Sequence, residues 1–381
     1  MTVESPQKKL RPLQGLRGFA CLAVVLSHYP FLRHSDGSNA MGELGGLGVE
    51  VFILLSGYLL CYWHWQDESA TGSLRENLSY AVHKMGKYYW LHLATLICAL
   101  PFWIVPMLSR PSWGKAVSLP ANLLLIQTFF PWSGVYFGLN GVSWYLSITL
   151  FFLFMSRWVL RFLKRLAVRQ TALLMLGIIV GEALWAIGVE QLGVPKGVSH
   201  WLAYVFPCVR ILDFVLGGGT YVLARAVCPQ FSKTKQRLAL LLVMIAYAVM
   251  IWVCSSEPQN VLWHDNQELA SVSIWAMPSV LLMLLLGCQA LRGEAGGVFE
   301  NPFLVFIGNI SLELFLVHQL FKRYASAAYQ KFAVPCDERI LLAAALLLSV
   351  LAAWQIHRRF PAGIPLSEGY ERLRCKFLRK S

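Results

Sequence analysis

Apolar positions in this chain gather into blocks of about twenty residues, the length a helix needs to cross a bilayer's hydrocarbon core. The blocks predict helical spans at 13–31, 47–65, 88–107, 142–162, 171–189, 200–223, 238–253, 273–290, 303–321 and 340–356. The pattern therefore predicts an all-α polytopic membrane protein of about ten helices in one bundle. Residues 1–12 form an N-terminal segment, 13–356 one transmembrane domain, and 357–381 a basic tail. One interval breaks the rhythm. The stretch LPANLLLIQTFFPW, residues 119–132, is apolar but too short to span and is bounded by prolines, which predicts a re-entrant or interfacial segment.

Composition agrees with this reading, since 57% of the 381 residues are hydrophobic and only 14% are charged. The net charge of +13 would suggest a nucleic-acid partner in a soluble chain. Here its placement decides. With the N-terminus in the cytoplasm, most lysines and arginines fall in inside segments, among them Lys8, Lys9, Arg11, Lys84, Lys87, Arg157 and Arg161. The positive-inside rule then accounts for the excess, places both termini in the cytoplasm of a cell-membrane protein, and makes membrane lipid rather than nucleic acid the charged partner. No small-x-small cleavage pattern follows the first apolar block, which is read as an uncleaved span. The nine cysteines are scattered singly without a CxxC pair, so the sequence implies neither a metal site nor a disulfide framework.

Ionisable groups inside spans are costly and default to function. Arg17 and His28 are separated by eleven positions, which is about 20° from three full helical turns and a rise of about 16.5 Å, so they share one face of the first helix. The second helix runs back from the outer side and brings Glu50 to about the depth of His28. His318, with Ser311 two turns below it, reaches the outer level on the ninth span, and Trp144 begins the fourth. Arg210 and Asp213 stand three apart and predict an intrahelical ion pair. Glu182 and Glu313 read as lone acids, in structural roles or in protonated form.

The motifs GLRGFACLAVVLSH and GLGVEVFILLSGYLL, followed in order by VRILDFVLGGG and IGNISLELFLVHQ, resemble the acyltransferase-3 family of polytopic membrane O-acyltransferases. The resemblance runs from about Arg11 to His357. It implies transfer of an acyl group, commonly acetyl, from cytoplasmic acyl-CoA as cosubstrate to a hydroxyl of a carbohydrate or lipid-linked glycan, with no bound cofactor. By position it assigns Arg17 and His28 to the pair needed for activity and Glu50 to the acidic slot. Two departures stand out. Thr149 occupies the place of an acid in SWYLSITLFF, and HKMGKYYWLH, with Lys84 and Lys87, replaces an arginine-rich cluster.

Joined to this resemblance, the spacing suggests a mechanism. Imidazole ionises near neutral pH and suits His28 as the base that takes the hydroxyl proton, with Glu50 setting its tautomer. Arg17, aided by Lys84 and Lys87, suits the donor's phosphates. Trp144, Ser311 and His318 line the site. A relay through acylated His28 is the alternative chemistry. The rival class is a transporter or flippase, although the halves show no internal repeat.

Overall fold

The computed structural model describes residues 10–67, 73–230, 232–256, 268–269, 273–294, 297–332 and 336–360. Residues 1–9 and 361–381, which hold most of the expected terminal segments, lie outside the described residues. Regular structure in the rest is helical, apart from one isolated bridge between Arg33 and Asn39. The expected all-α polytopic architecture is met. Seven described helices are long and apolar enough to cross a membrane, or nine if two bent pairs each count as one span.

The chain divides into two compact units, one of residues 1–70 and 158–311, the other of 71–157 and 312–381. The first contains α1 (Arg11–His28), α2 (Leu44–His64) and most of the middle of the chain. Arg11, Gln14, Arg17 and His28 dilute the apolar run of α1, which is not among the seven long apolar helices. Pro12 starts this helix, where a missing N–H costs nothing, and Tyr29 leaves it in extended geometry ahead of Pro30.

In the second unit, α3 (Leu74–Ala99) and α4 (Pro101–Ser109) replace the straight span expected at 88–107. Ser73 caps α3 by accepting the Glu76 N–H, so the helix starts well before the apolar run. Pro101 has no N–H to continue the ladder, and the pair bends by 46°. The segment expected to be re-entrant is built from short pieces: α5 (Trp113–Leu123), a 3-10 turn (Gln127–Phe129) and a single helical turn (Ser133–Tyr136). Leu125 in this stretch and Leu139 just beyond it have φ of 54° and 56°. A branched side chain in that region costs ~1–3 kcal/mol. Ser147 Oγ donates to the Leu125 carbonyl at 2.7 Å, and the Arg323 guanidinium donates to that of Leu139.

Next come α6 (Trp144–Lys164), in which the unit boundary falls, and α7 (Val168–Gln191). The span Lys196–Gln230 then passes through a π-helical turn, Trp201–Val205, before Pro207 opens α8 (Pro207–Val227). The remaining helices are α9 (Lys233–Ser255), α10 (Ile274–Arg292), α11 (Pro302–Asn309), α12 (Ser311–Phe332) and α13 (Glu338–Arg359). The span expected at 303–321 is thus broken at Ile310.

Burial separates core helices from peripheral ones. The apolar windows of α2, of the span that contains α8, and of α10 are 72%, 67% and 67% buried, against 11% for α9, so the first three form the core of the first unit. Glycine sets their separation. A Cβ on Gly57 would sit 1.9 Å from the Phe214 carbonyl oxygen, and one on Gly217 the same distance from that of Leu54. The helices α2 and α8 therefore touch backbone to backbone. Gly18 and Gly308 bring α1 equally close to α11.

Candidate active site

Helix α1 positions two of the candidate side chains. Its Ala20, Val24 and Ser27 meet Gly45 and Gly48 of α2, while the Cys21 thiol donates to the Ser311 carbonyl at 3.7 Å. At about 100° per residue, Arg17 and His28 fall on the strip between these two packed sides. Both are half-buried on that strip, whereas Val24 and Cys21 beside them are buried. The shared face expected from spacing is therefore realised, and Ser311 borders it.

The imidazole of His28 has a defined proton. Its Nδ1 lies 2.8 Å from the Val24 carbonyl oxygen, which can only accept, so Nδ1 carries the hydrogen and Nε2 the lone pair. The tautomer needed for a base is thus set by the helix backbone. Arg17 makes no ion pair with a carboxylate among the described residues.

Glu50 points elsewhere. It lies about 200° around α2 from Gly48, the residue that packs on α1, and its Oε2 accepts from Arg210 Nη2 at 3.0 Å. Arg210 Nη1 is 2.8 Å from Asp213 Oδ2, as the spacing of three predicted. All three side chains are at most 1% exposed. The expectation that Glu50 orients His28 came from depth alone, and the face of the helix replaces it with a partner on α8. Glu182 is not isolated either, since it lines a small cavity together with Arg210, Ser273 and Trp185.

The second unit holds the other candidates. His318 is fully buried on α12, with Nδ1 donating to the Leu314 carbonyl at 3.0 Å and the Phe315 ring 6.1 Å away. Trp144 is buried with its ring edge-on to Phe137. Lys84 and Lys87 lie inside α3 rather than in a loop before it; Lys84 sits over the Tyr80 ring and Lys87 is exposed. Thr149 donates its hydroxyl to the Tyr145 carbonyl within α6. Glu313, expected to be a lone acid, pairs with His357 at 3.0 Å.

Sequence reasoning passed over a buried polar knot in the same unit. His92 Nε2 donates to the Asn122 carbonyl at 2.9 Å, Ser143 Oγ to Asn122 Oδ1 at 3.1 Å, and Gln127 Nε2 to the Ser143 carbonyl at 3.2 Å. The signal was present, because Asn122, Gln127 and Thr128 interrupt the apolar re-entrant stretch. No cluster of three or more His, Cys, Asp or Glu side chains suited to a metal ion occurs among the described residues.

Comparison with known proteins bears on what this arrangement does. A family model described as an acyltransferase domain, acyltransferase-3, matches residues 12–358. The chain is also similar to acyltransferase MdmB of Streptomyces mycarofaciens, 29% identical over 334 residues that cover 83% of this chain and 80% of that protein. No solved structure matches it.

Proposed function

We propose, from the premise that this chain belongs to the acyltransferase-3 family and is a multi-pass membrane transferase, that it moves an acetyl group from cytoplasmic acetyl-CoA to a hydroxyl of a cell-envelope or exported carbohydrate. The observation that carries this reading is the strip of α1. There the Val24 carbonyl holds the Nδ1 hydrogen of His28, which leaves Nε2 basic, and Arg17 shares the strip about 16.5 Å away.

On this reading His28 Nε2 takes the hydroxyl proton as the oxygen attacks the thioester carbon, and the protonated ring returns it to the departing thiolate. Arg17 grips the donor's phosphates, a task for which a guanidinium fork is suited. The separation of the two side chains is comparable to an extended pantetheine arm, so one donor molecule reaches both. Glu50 acts at one remove: through Arg210 it fixes α2, and α2 supports α1 at Gly45 and Gly48.

The test is CoA release by the full chain in lipid nanodiscs supplied with acetyl-CoA and cell-envelope glycan, followed by mass spectrometry of the glycan. Glycan-dependent release that disappears in His28→Ala, with insertion unchanged, is the expected result. Release that persists in that variant removes His28 from catalysis. Recovery of acetyl-His28 after rapid quenching would replace the base by a covalent relay.

A further inference from the structure

The last turn of α1 is completed by a side chain from outside the helix. Pro30 has no N–H to give the Leu26 carbonyl, and the Phe31 N–H, which a longer helix would give to Ser27, donates to the Tyr29 carbonyl at 2.8 Å. The Ser27 carbonyl is met instead by Asn39 Nδ2 at 2.6 Å. That amide has one orientation. Its Oδ1 accepts the Met41 N–H at 3.2 Å, so the nitrogen is the end that faces Ser27.

The loop that carries Asn39 is itself fixed. Arg33 and Asn39 form a bridge, the Ala40 N–H donates to the Leu32 carbonyl at 3.1 Å, and the His34 N–H donates to that of Ser38 at 2.9 Å. Gly37 turns the chain at φ 82°, and the Asp36 carboxylate accepts the Ser38 N–H at 2.8 Å. The helical turn that this loop grips also carries His28. The Val24 carbonyl accepts from Ser27 Oγ at 2.7 Å and from His28 Nδ1 at 2.8 Å, and both bonds exist only while residues 24–28 keep helical geometry. Helix ends fray, and their last carbonyls have no partner within the helix. The Asn39 bond therefore ties a folded loop to the turn on which the imidazole's proton depends.

We infer that Asn39 is a positioning residue for His28: it holds the last turn of α1 helical, so that the Val24 carbonyl keeps the Nδ1 hydrogen and Nε2 stays the free base. This role rests on the acyl-transfer reading above, in which His28 is the base.

The experiment uses the full chain in nanodiscs with ring-15N histidine, at about pH 8.5, where imidazole is ordinarily neutral. The signals of His28 are those missing from His28→Gln. Wild type should show His28 as one tautomer with hydrogen on Nδ1, and Asn39→Ala should lose that single form. Asn39→Asp keeps the oxygen that accepts from Met41 but offers Ser27 no N–H, so it should fail in the same way. Asn39 is half-buried in a loop, and both variants leave the apolar core untouched. With acetyl-CoA and cell-envelope glycan, kcat should fall roughly three- to tenfold in both, while the KM for acetyl-CoA stays within about twofold of wild type. Asn39→Asp with wild-type kcat and wild-type His28 signals would show that the amide only shapes its loop, and would overturn the inference. A fall in kcat with the His28 signals unchanged would overturn it too, because the effect would not pass through the imidazole. If wild type releases no CoA, or His28→Ala stays active, the acyl-transfer reading fails, and the nitrogen signals still decide whether Asn39 sets the tautomer of His28.

Discussion

Replacing Arg210 by methionine should destabilise the protein far more than its single position suggests. The guanidinium bridges two helices, donating to Glu50 on α2 at 3.0 Å and lying 2.8 Å from Asp213 on α8, with all three groups out of solvent. Removing it leaves the carboxyl groups of Glu50 and Asp213, with that of Glu182 close by, buried without their cation. Breaking a buried pair from one side costs about 3–5 kcal/mol, or roughly two to nearly four decades in the folding equilibrium. The quadruple variant Glu50→Gln, Glu182→Gln, Arg210→Met, Asp213→Asn removes every ionisable group of this cluster and should recover most of that loss, since neutral replacements of whole buried ion clusters are often tolerated. Unfolding in mixed micelles by a denaturing detergent, followed by tryptophan fluorescence, measures both. Stability of the single variant within about 1 kcal/mol of wild type would refute the reasoning, as would a quadruple variant no better than the single.

Three further outcomes are expected. Gly217→Ala puts a Cβ 1.9 Å from the Leu54 carbonyl oxygen, against ordinary contact from 3.4 Å, so α2 and α8 must part by about 1.5 Å; the cost of about 1–3 kcal/mol would appear in the same detergent titration. Arg17→Lys keeps the charge but loses the bidentate fork, and should raise the KM for acetyl-CoA several-fold with little change in the KM for acceptor. In the loop after α1, the side-chain and backbone hydrogen bonds of Ser38 hold the Asp36 carboxyl below its usual range. That depressed value means the loop's added order is full above the ordinary aspartate pKa and is lost as pH falls through the lower one, which amide exchange at Ser38 would report.

Much of the first unit was legible because helix geometry is regular. Eleven residues at 3.6 per turn place Arg17 and His28 on one face whatever the surroundings, and three residues place Arg210 beside Asp213. The partner of Glu50 was not legible, because depth in the membrane says nothing about azimuth. The signal that would have helped is glycine, since Gly45 and Gly48 mark the face of α2 that meets α1, and Glu50 lies on the far side. The bend at Pro101 was readable from proline chemistry, yet the ten-span pattern ran straight through it. Nothing in the sequence announced the turns at Leu125 and Leu139. Positive φ is normally read from glycine or asparagine, and here branched leucines are held there by hydrogen bonds from α6 and α12.

The link between Glu50 and Arg210 also bears on how the chain is made. The two residues are 160 positions apart, so during synthesis α2 is complete long before α8 leaves the ribosome. Arg210 arrives with Asp213 one turn away, and α8 can be inserted as a nearly neutral rod. Glu50 has no such companion on its own helix and must wait for a helix made much later. The nascent protein therefore passes through a stage in which a fully buried acid has not met its counter-ion. The core of the first unit cannot assemble before α8 docks, and variants truncated before Pro207 should be taken by membrane quality control, even though α1 and α2 are already in place.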